Sequence, residues 1–513
     1  MRNDNLIIEN VSDNSPPKDA KSSHFSKNVL TLVGGTTIAQ LITIFASPIV
    51  SRIYGPDAFG LFALFTSIIS IFAVIACLRY ELAIMLPKTN EEAANIFGLC
   101  LLIVVFISFL SILILFISQS FIIHFLNIPQ LEQFFWFIPL SIFISGIYLA
   151  LDYWNSRTKQ FYRSSIARVF KSFSSTGIQI GVGSAGYASG GVLIGANIIG
   201  QIASASVLGI QILKDYLSFF KHNITWGGIV DSSKRYSKFP KYDIWSALIN
   251  TISGMLPIFI LSAYFNSTIV GYYAFGLMVL QLPLSVIGSS IAQVFFQQAA
   301  EAKNISQEKL RITVEKTIKP LIFLGFFPVI LLMLIGPELF SFVFGIRWEE
   351  SGNYVRYLSF WIGVVFITSP ISTLFTIFQK QRFTLIFNIL QMISRIIALI
   401  IGVIMGDALV AIILFALISG ISNIIAYIYL LRLADVSILL PAKIVINYFM
   451  LSIPFIILIL LFQGLFSTNI FLIVILSLTV SAFYYILVIK KDPEILRTVR
   501  SITSKIPLFN TFF

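Results

Sequence analysis

Charge is what this chain has least of. Only 11% of its 513 residues are Asp, Glu, Lys or Arg, against roughly 25% in a soluble domain. So few charges cannot cover a water-facing surface, which excludes the several soluble domains that this length would allow. Cysteine is nearly missing: Cys77 and Cys100 both fall in apolar runs, which speaks against a disulfide framework or a thiolate metal site. Three histidines, His24, His124 and His222, share no helical ligand spacing, so neither zinc chemistry nor a Cys/His pair finds support. The 23 acidic residues contain no D-x-D, and most lie beside basic ones. Glu301, Glu308 and Glu315 alternate with Lys309, Arg311 and Lys316 as a solvated face, and Glu349 and Glu350 follow Arg347. No nucleophile with its base and no convergent acids occur, so neither an enzyme nor a cofactor is expected.

What fills the chain instead is apolar sequence. About 20 apolar residues suffice for a helix to cross a bilayer. Fourteen such runs are predicted, near 29–51, 59–78, 95–117, 132–151, 169–187, 190–212, 243–265, 269–297, 319–343, 357–378, 383–405, 408–431, 443–466 and 469–489. The expected fold class is therefore an all-α polytopic membrane protein. Residues 1–28 are polar, carry Pro16-Pro17 and lack the apolar core of a signal peptide, which predicts a disordered cytoplasmic tail. Residues 213–242 are the longest connection and read as a cytoplasmic linker; 490–513 form a second tail.

Basic residues set the orientation. With the N-terminus inside, only Arg52, Arg347 and Arg356 of the 35 Lys and Arg residues face outward, and only Arg395 lies within a span. Both termini are then cytoplasmic, and the net charge of +12 is a topology signal plus attraction to anionic headgroups. The basic residues form no single stripe, so no nucleic acid partner is expected.

Two stretches echo each other. SPIVSRIYGPDAFGLFALF joins the first and second spans, and LPIFILSAYFNSTIVGYYAFG joins the seventh and eighth. Pro48, Tyr54, Gly60 and Ala63 correspond to Pro257, Tyr264, Gly271 and Ala274. A weaker echo, RTKQF and QKQRF, follows the fourth and tenth spans. Six spans separate the copies, an even number, so the repeats are predicted to be parallel, related by an axis along the membrane normal. Residues 29–212 and 243–431 would be two six-helix bundles, with two further helices over 443–489. Pro48 and Pro257 are candidate hinges, or alternatively helix-packing prolines. The GVGSAG of 181–186 has neither the strand nor the acidic residue of a dinucleotide site. It reads as helix packing through small residues.

Ionisable groups at depth are costly and usually face protein or water. Arg395 lies twelve residues past Phe383, ~18 Å along its helix and near the midplane, with no acid in its span. Arg79 and Glu81 close the second span in ACLRYELAIMLP, a stretch predicted to continue as one helix of roughly 28 residues. Residues two apart on a helix do not face each other, which makes Asp152 a candidate counter-charge. Arg52 is a candidate by position. Gln40, Asn250, Gln281 and Gln293 are uncharged polar residues in the helices that carry the repeat.

LRYELAIMLP, and the block from FPKYDIWSALIN to VFFQQAAE over 239–301, resemble the Wzx-type O-antigen repeat-unit flippases. These are polysaccharide translocases of the MOP superfamily, which also holds MATE exporters and the lipid II flippase. The resemblance runs from about 29 to about 490. It implies two six-helix bundles around a central cavity, two additional C-terminal helices and alternating access. The implied substrate is an undecaprenyl-pyrophosphate-linked oligosaccharide carried from the cytoplasmic to the periplasmic leaflet of the bacterial inner membrane. It also implies a coupling ion, H+ or Na+, and polysaccharide polymerase and chain-length proteins as possible partners. Arg79 and Glu81 match the family's R-Y-E stretch. Arginine suits pyrophosphate because its fork binds the oxygens bidentately. Two alternatives stay open: a MATE-like exporter, which would favour an acidic cavity, and a membrane-embedded glycosyltransferase or polymerase, which would need a long outward loop.

Overall fold

The computed structural model describes residues 18–466, 469–493 and 495–496; side chains before Gly35 and that of Gln381 fall outside the description. Among the described residues there is no strand. The first half holds α1 (Lys18–Ile53), α2 (Pro56–Ile75), α3 (Asn90–Leu126), α4 (Phe137–Arg157), α5 (Phe161–Ser184) and α6 (Gly190–Asn223). A short α7 (Trp226–Arg235) leads to the second half: α8 (Ile244–Tyr264), α9 (Ser267–Pro283), α10 (Ser289–Ile305), α11 (Gln307–Phe344), α12 (Glu349–Ile371), α13 (Leu374–Ile377), α14 (Gln381–Ile404) and α15 (Ala408–Leu433). α16 (Leu439–Leu465) and α17 (Ile470–Lys491) follow and pack on α11.

Among the described residues, thirteen helical segments are long and apolar enough to cross a membrane, so this is a multi-pass membrane protein. The fourteenth expected run is α5, whose first half carries Arg163, Arg168 and Lys171. It lies between α1 and α6 in the first bundle.

Three expectations need correction. The tail over 1–28 is shorter, because Pro17 is followed directly by helix from Lys18. KDAKSSHFSKN contains no further breaker, and proline suits a helix start; residues 1–17 lie outside the description, as do 497–513 of the second tail. The linker over 213–242 is mostly helix. α6 runs on to Asn223, and Asn95 of α3 fixes the corner by donating to Asn223 O and accepting from Thr225 N, both at 2.9 Å. The long helix expected through LRYELAIMLP breaks. Leu78 and Arg79 take φ of 48° and 66°, and Tyr80–Met85 forms a 3-10 strap.

The strap is held by packing, since left-handed non-glycine residues cost roughly 1–3 kcal/mol each. Tyr80, Glu81, Ala83 and Ile84 are buried in it, and Tyr80 donates to Ser233 O at 2.8 Å. Arg157, at the end of α4, donates to the carbonyls of Ile84, Pro87 and Thr89 at 2.9–3.0 Å.

One apolar core joins the halves at the end of the molecule that holds Tyr54, Leu126, Phe275 and Trp348. At the opposite end each half has its own core, one around Tyr80, Phe97 and Trp154 and the other around Phe295, Ile318 and Leu430. Most of the basic residues lie at this second, divided end. The two halves therefore meet at the far end and part toward the basic end.

The far-end seam is closed by backbone contact. A Cβ on Gly60 would lie 1.9 Å from Ser267 O, and one on Gly271 would lie 1.9 Å from Pro56 O. These are equivalent positions of the sequence repeat meeting reciprocally, as a two-fold contact requires. Phe59, Phe275 and Trp348 pack beside them with ring centroids 4.0–5.1 Å apart. Trp348 Nε1 donates to Ser51 O at 2.8 Å, and Ser51 Oγ donates to Phe344 O at 3.2 Å.

Candidate functional site

The parting of the halves leaves three connected chambers. An upper one of about 800 Å³ lies among α2, α8, α9, α12, α14 and α15, and reaches Arg395. A lower one of about 1230 Å³ leads to the basic end past Arg79, Lys238, Asp243 and Arg382. Asn250, Gln391 and Asn423 line both. A side chamber of about 340 Å³ enters the first half between Arg79, Tyr148, Lys171 and Gln201. It shares Arg79 with the lower chamber and Ser70 with the upper one.

The charge of these walls is one-sided. Among the described residues, five basic ones line them (Arg79, Lys171, Lys238, Arg382 and Arg395), and Asp243 is the single acid. Low-dielectric walls lined by one sign concentrate the opposite ion, so the space favours an anion.

Arg395 sits on α14 with 6% of its surface exposed. Its Nε donates to Ser419 Oγ at 2.9 Å and its Nη1 to Ser253 Oγ at 3.0 Å. The guanidinium lies 5.3 Å from the ring centroids of both Trp361 and Phe415. Each desolvated cation–π contact is worth about 2 kcal/mol, which holds the cation where no carboxylate partner exists among the described residues. No hydrogen bond from Nη2 is present among the described residues, and Arg395 lines the upper chamber. Beside it Gln391 is 9% exposed and its Nε2 has no partner among the described residues.

Arg79 stands where the lower and side chambers join. Its Nε donates to Asp243 Oδ2 at 2.8 Å, across the gap between the halves. Its Nη1 lies 3.4 Å from Glu81 Oε1, a contact that the broken helix permits and a regular one would not. Glu81 is 1% exposed, behind the arginine and away from the chambers. Burial lifts its carboxyl above the usual glutamate range; a backbone hydrogen bond and Arg79 oppose the rise, and Asp243 adds to it.

The structure thus brings together Arg395, Arg79, Asn250 and Gln281 on the chamber walls. The other candidates lie elsewhere. Arg52 sits at the far end, donating to Phe342 O at 3.3 Å and Val343 O at 3.5 Å. Asp152 is no counter-charge for Arg79: it accepts from Ser164 Oγ at 2.6 Å and pairs with Arg168 at 3.4 Å. Gln293 is exposed on α10, and the buried Oε1 of Gln40 on α1 has no partner among the described residues; neither lines a chamber. Pro48 and Pro257 lie inside α1 and α8. Sequence reasoning missed Lys171, Arg382, Gln391 and Asn423. The spacing of Asn388, Gln391 and Arg395 at i, i+3 and i+7 on one helix face could have pointed to Gln391.

The family model described as a polysaccharide biosynthesis protein matches residues 49–353. Among solved structures, the lipid II flippase MurJ in an inward closed conformation aligns with a TM-score of 0.71 at 13% identity, covering 89% of this chain and 97% of that one. An inward-facing multidrug resistance MATE family transporter of the MOP superfamily aligns at 0.63 with 14% identity, covering 77% and 94%. A MOP superfamily transporter from Pyrococcus furiosus, described as having a binding pocket of reverse polarity, aligns at 0.55 with 14% identity, covering 80% and 96%. No curated protein matches the chain. These likenesses show the fold.

Proposed function

This chain belongs to the polysaccharide biosynthesis protein family, and from that premise we propose that it is a flippase for a lipid-linked oligosaccharide. Its substrate is an oligosaccharide on a polyprenyl pyrophosphate, such as an O-antigen repeat unit, and its place is the bacterial inner membrane. The observation that carries this reading is the wall charge: among the described residues, five basic side chains against one acid, in a space that leads to the basic end.

The basic end faces the cytoplasm by the excess of Lys and Arg there. A sugar headgroup cannot shed its water across ~30 Å of hydrocarbon, and the chambers supply replacement partners in Asn250, Gln281, Gln391 and Asn423. Arg79, Arg382 and Lys171 receive the pyrophosphate, and the oligosaccharide extends toward Arg395. Residues 29–212 and 243–431 then rock about the axis through Gly60 and Gly271. The lower chamber closes and the far-end seam opens to the periplasm. The same wall charge speaks against a MATE-like exporter of cations.

The test is translocation in proteoliposomes carrying a polyprenyl-pyrophosphate oligosaccharide, read by the sugar's accessibility to an external glycosidase. Neutralising Arg79 and Lys171 together should weaken translocation ~30-fold or more, since a lost contact to a buried charge is worth ~2–5 kcal/mol. Transport of organic cations in place of the lipid-linked sugar would overturn the reading.

A further inference from the structure

A second basic pocket lies outside the chambers. It measures about 720 Å³ and is bounded by α11, α16 and α17 at the basic end, and none of these helices lines the transport space. Lys319 Nζ meets Asp492 Oδ1 at 2.8 Å, and Tyr448 donates to Asp492 Oδ2 at 3.4 Å. That carboxylate is therefore engaged, and Glu315 faces Arg311 at 3.8 Å. Lys316 on α11 and Lys491 at the end of α17 converge on the same pocket, and neither has an ion-pair partner among the described residues. Asn447 adds one neutral polar group, and the rest of the wall is apolar, with Ile444 and Leu451 along α16.

We propose that this pocket binds an anionic phospholipid of the surrounding bilayer, with its phosphate between Lys316 and Lys491 and its acyl chains along α16. The argument rests on charge complementarity at headgroup depth. Lys491 terminates its span and Lys316 precedes the apolar part of α11. Basic pockets between helices on the cytoplasmic side suit anionic headgroups. A zwitterionic lipid offsets its own phosphate and lacks the net charge that two lysines select. α16 and α17 stand outside the repeats, and a lipid here would fasten them to α11 without entering the transport path. The inference holds whatever the chambers carry.

The experiment is native mass spectrometry of the purified full chain with phosphatidylglycerol or phosphatidylcholine added to the detergent. Phosphatidylglycerol should be retained preferentially, and raised salt should strip it. Lys316→Gln with Lys491→Gln should weaken retention about 30-fold, at ~5-fold per lysine near a surface. Lys309→Gln with Lys490→Gln, at the same end but outside the pocket, should leave it unchanged. Equal retention of both lipids, salt-insensitive retention, or loss in the control variant alone would overturn the proposal. Farnesyl pyrophosphate, offered in competition, should not displace the phospholipid; displacement would make the pocket a station for the transport substrate and overturn it as well. Should the double variant fail to fold, the salt and competition arms on the wild type still decide.

Discussion

Arg395 has two roles to separate, as a cation held between three helices and as a wall of the upper chamber. Its hydrogen bonds reach α8 through Ser253 and α15 through Ser419, so a structural part is certain. Replacing a buried charge by an apolar group of similar size is often neutral for stability, and the two serines can turn back to carbonyls of their own helices. Arg395→Met is therefore expected to keep the melting temperature within a few degrees (~1 kcal/mol corresponds to ~2–4 °C in larger domains) while weakening substrate binding tenfold or more. A large fall in melting temperature with unchanged binding would leave only the structural part. Glu81 gives a pH test. Its carboxyl is raised by burial, so below the ordinary glutamate range it is neutral folded or unfolded, and burial costs little. As the pH climbs through the raised value the buried group ionises and stability falls. Melting curves over that range should decline more steeply for the wild type than for Glu81→Gln, and parallel curves would sink the argument.

At the scale of elements, all fourteen apolar runs fall on helices and thirteen are long and apolar enough to span, because run length and bounding charge mark a helix, while Arg163, Arg168 and Lys171 set α5 apart. The strap was invisible for a physical reason. A reversal at Leu78 and Arg79 has no glycine or asparagine to announce it, and only the docking of Tyr80 and the grip of Arg157 hold it. The partner of Arg79 was equally hidden, since Asp243 lies 164 residues away, beyond any local pattern. α7 falls inside the expected linker because its ten residues are too few to show a span. The sequence repeat was legible, but its meaning was not: Gly60 and Gly271 correspond because they press on each other across the seam. Gly271→Ala places a carbon 1.9 Å from Pro56 O, and overpacking of this kind costs typically 1–3 kcal/mol. The far end should loosen. A cysteine introduced by Ser267→Cys should then react faster with an impermeant maleimide added outside, roughly 5-fold or more, against a low background because Cys77 and Cys100 are buried. Unchanged labelling would show that the seam does not govern the opening.

For the whole molecule, the two ends are built unequally. The far end combines backbone contact, three packed aromatic rings and a buried indole hydrogen bond. At the basic end the halves share one ion pair among the described residues, Arg79 with Asp243, whose side chains are 26% and 45% exposed. Pairs this exposed contribute about 0–1 kcal/mol, so the bridge can bias the closing of the lower chamber but cannot lock it. The proposed cycle opens this end each time, and a latch of that strength permits it. Asp243→Ala is accordingly expected to leave the melting temperature unchanged and to shift the ratio of narrow to wide basic ends by no more than about 5-fold. Spin labels introduced by Lys159→Cys and Lys380→Cys, in the turns that open α5 and α14, would report that ratio as two distances. The effect should also be additive with Gly271→Ala, because the two contacts lie at opposite ends and share no partner. Strong non-additivity would mean that the two contacts do not weigh independently on one rocking equilibrium, and would count against halves that move as rigid bodies. A collapse of the fold in Asp243→Ala would instead make the ion pair a structural tie and remove it as a gate.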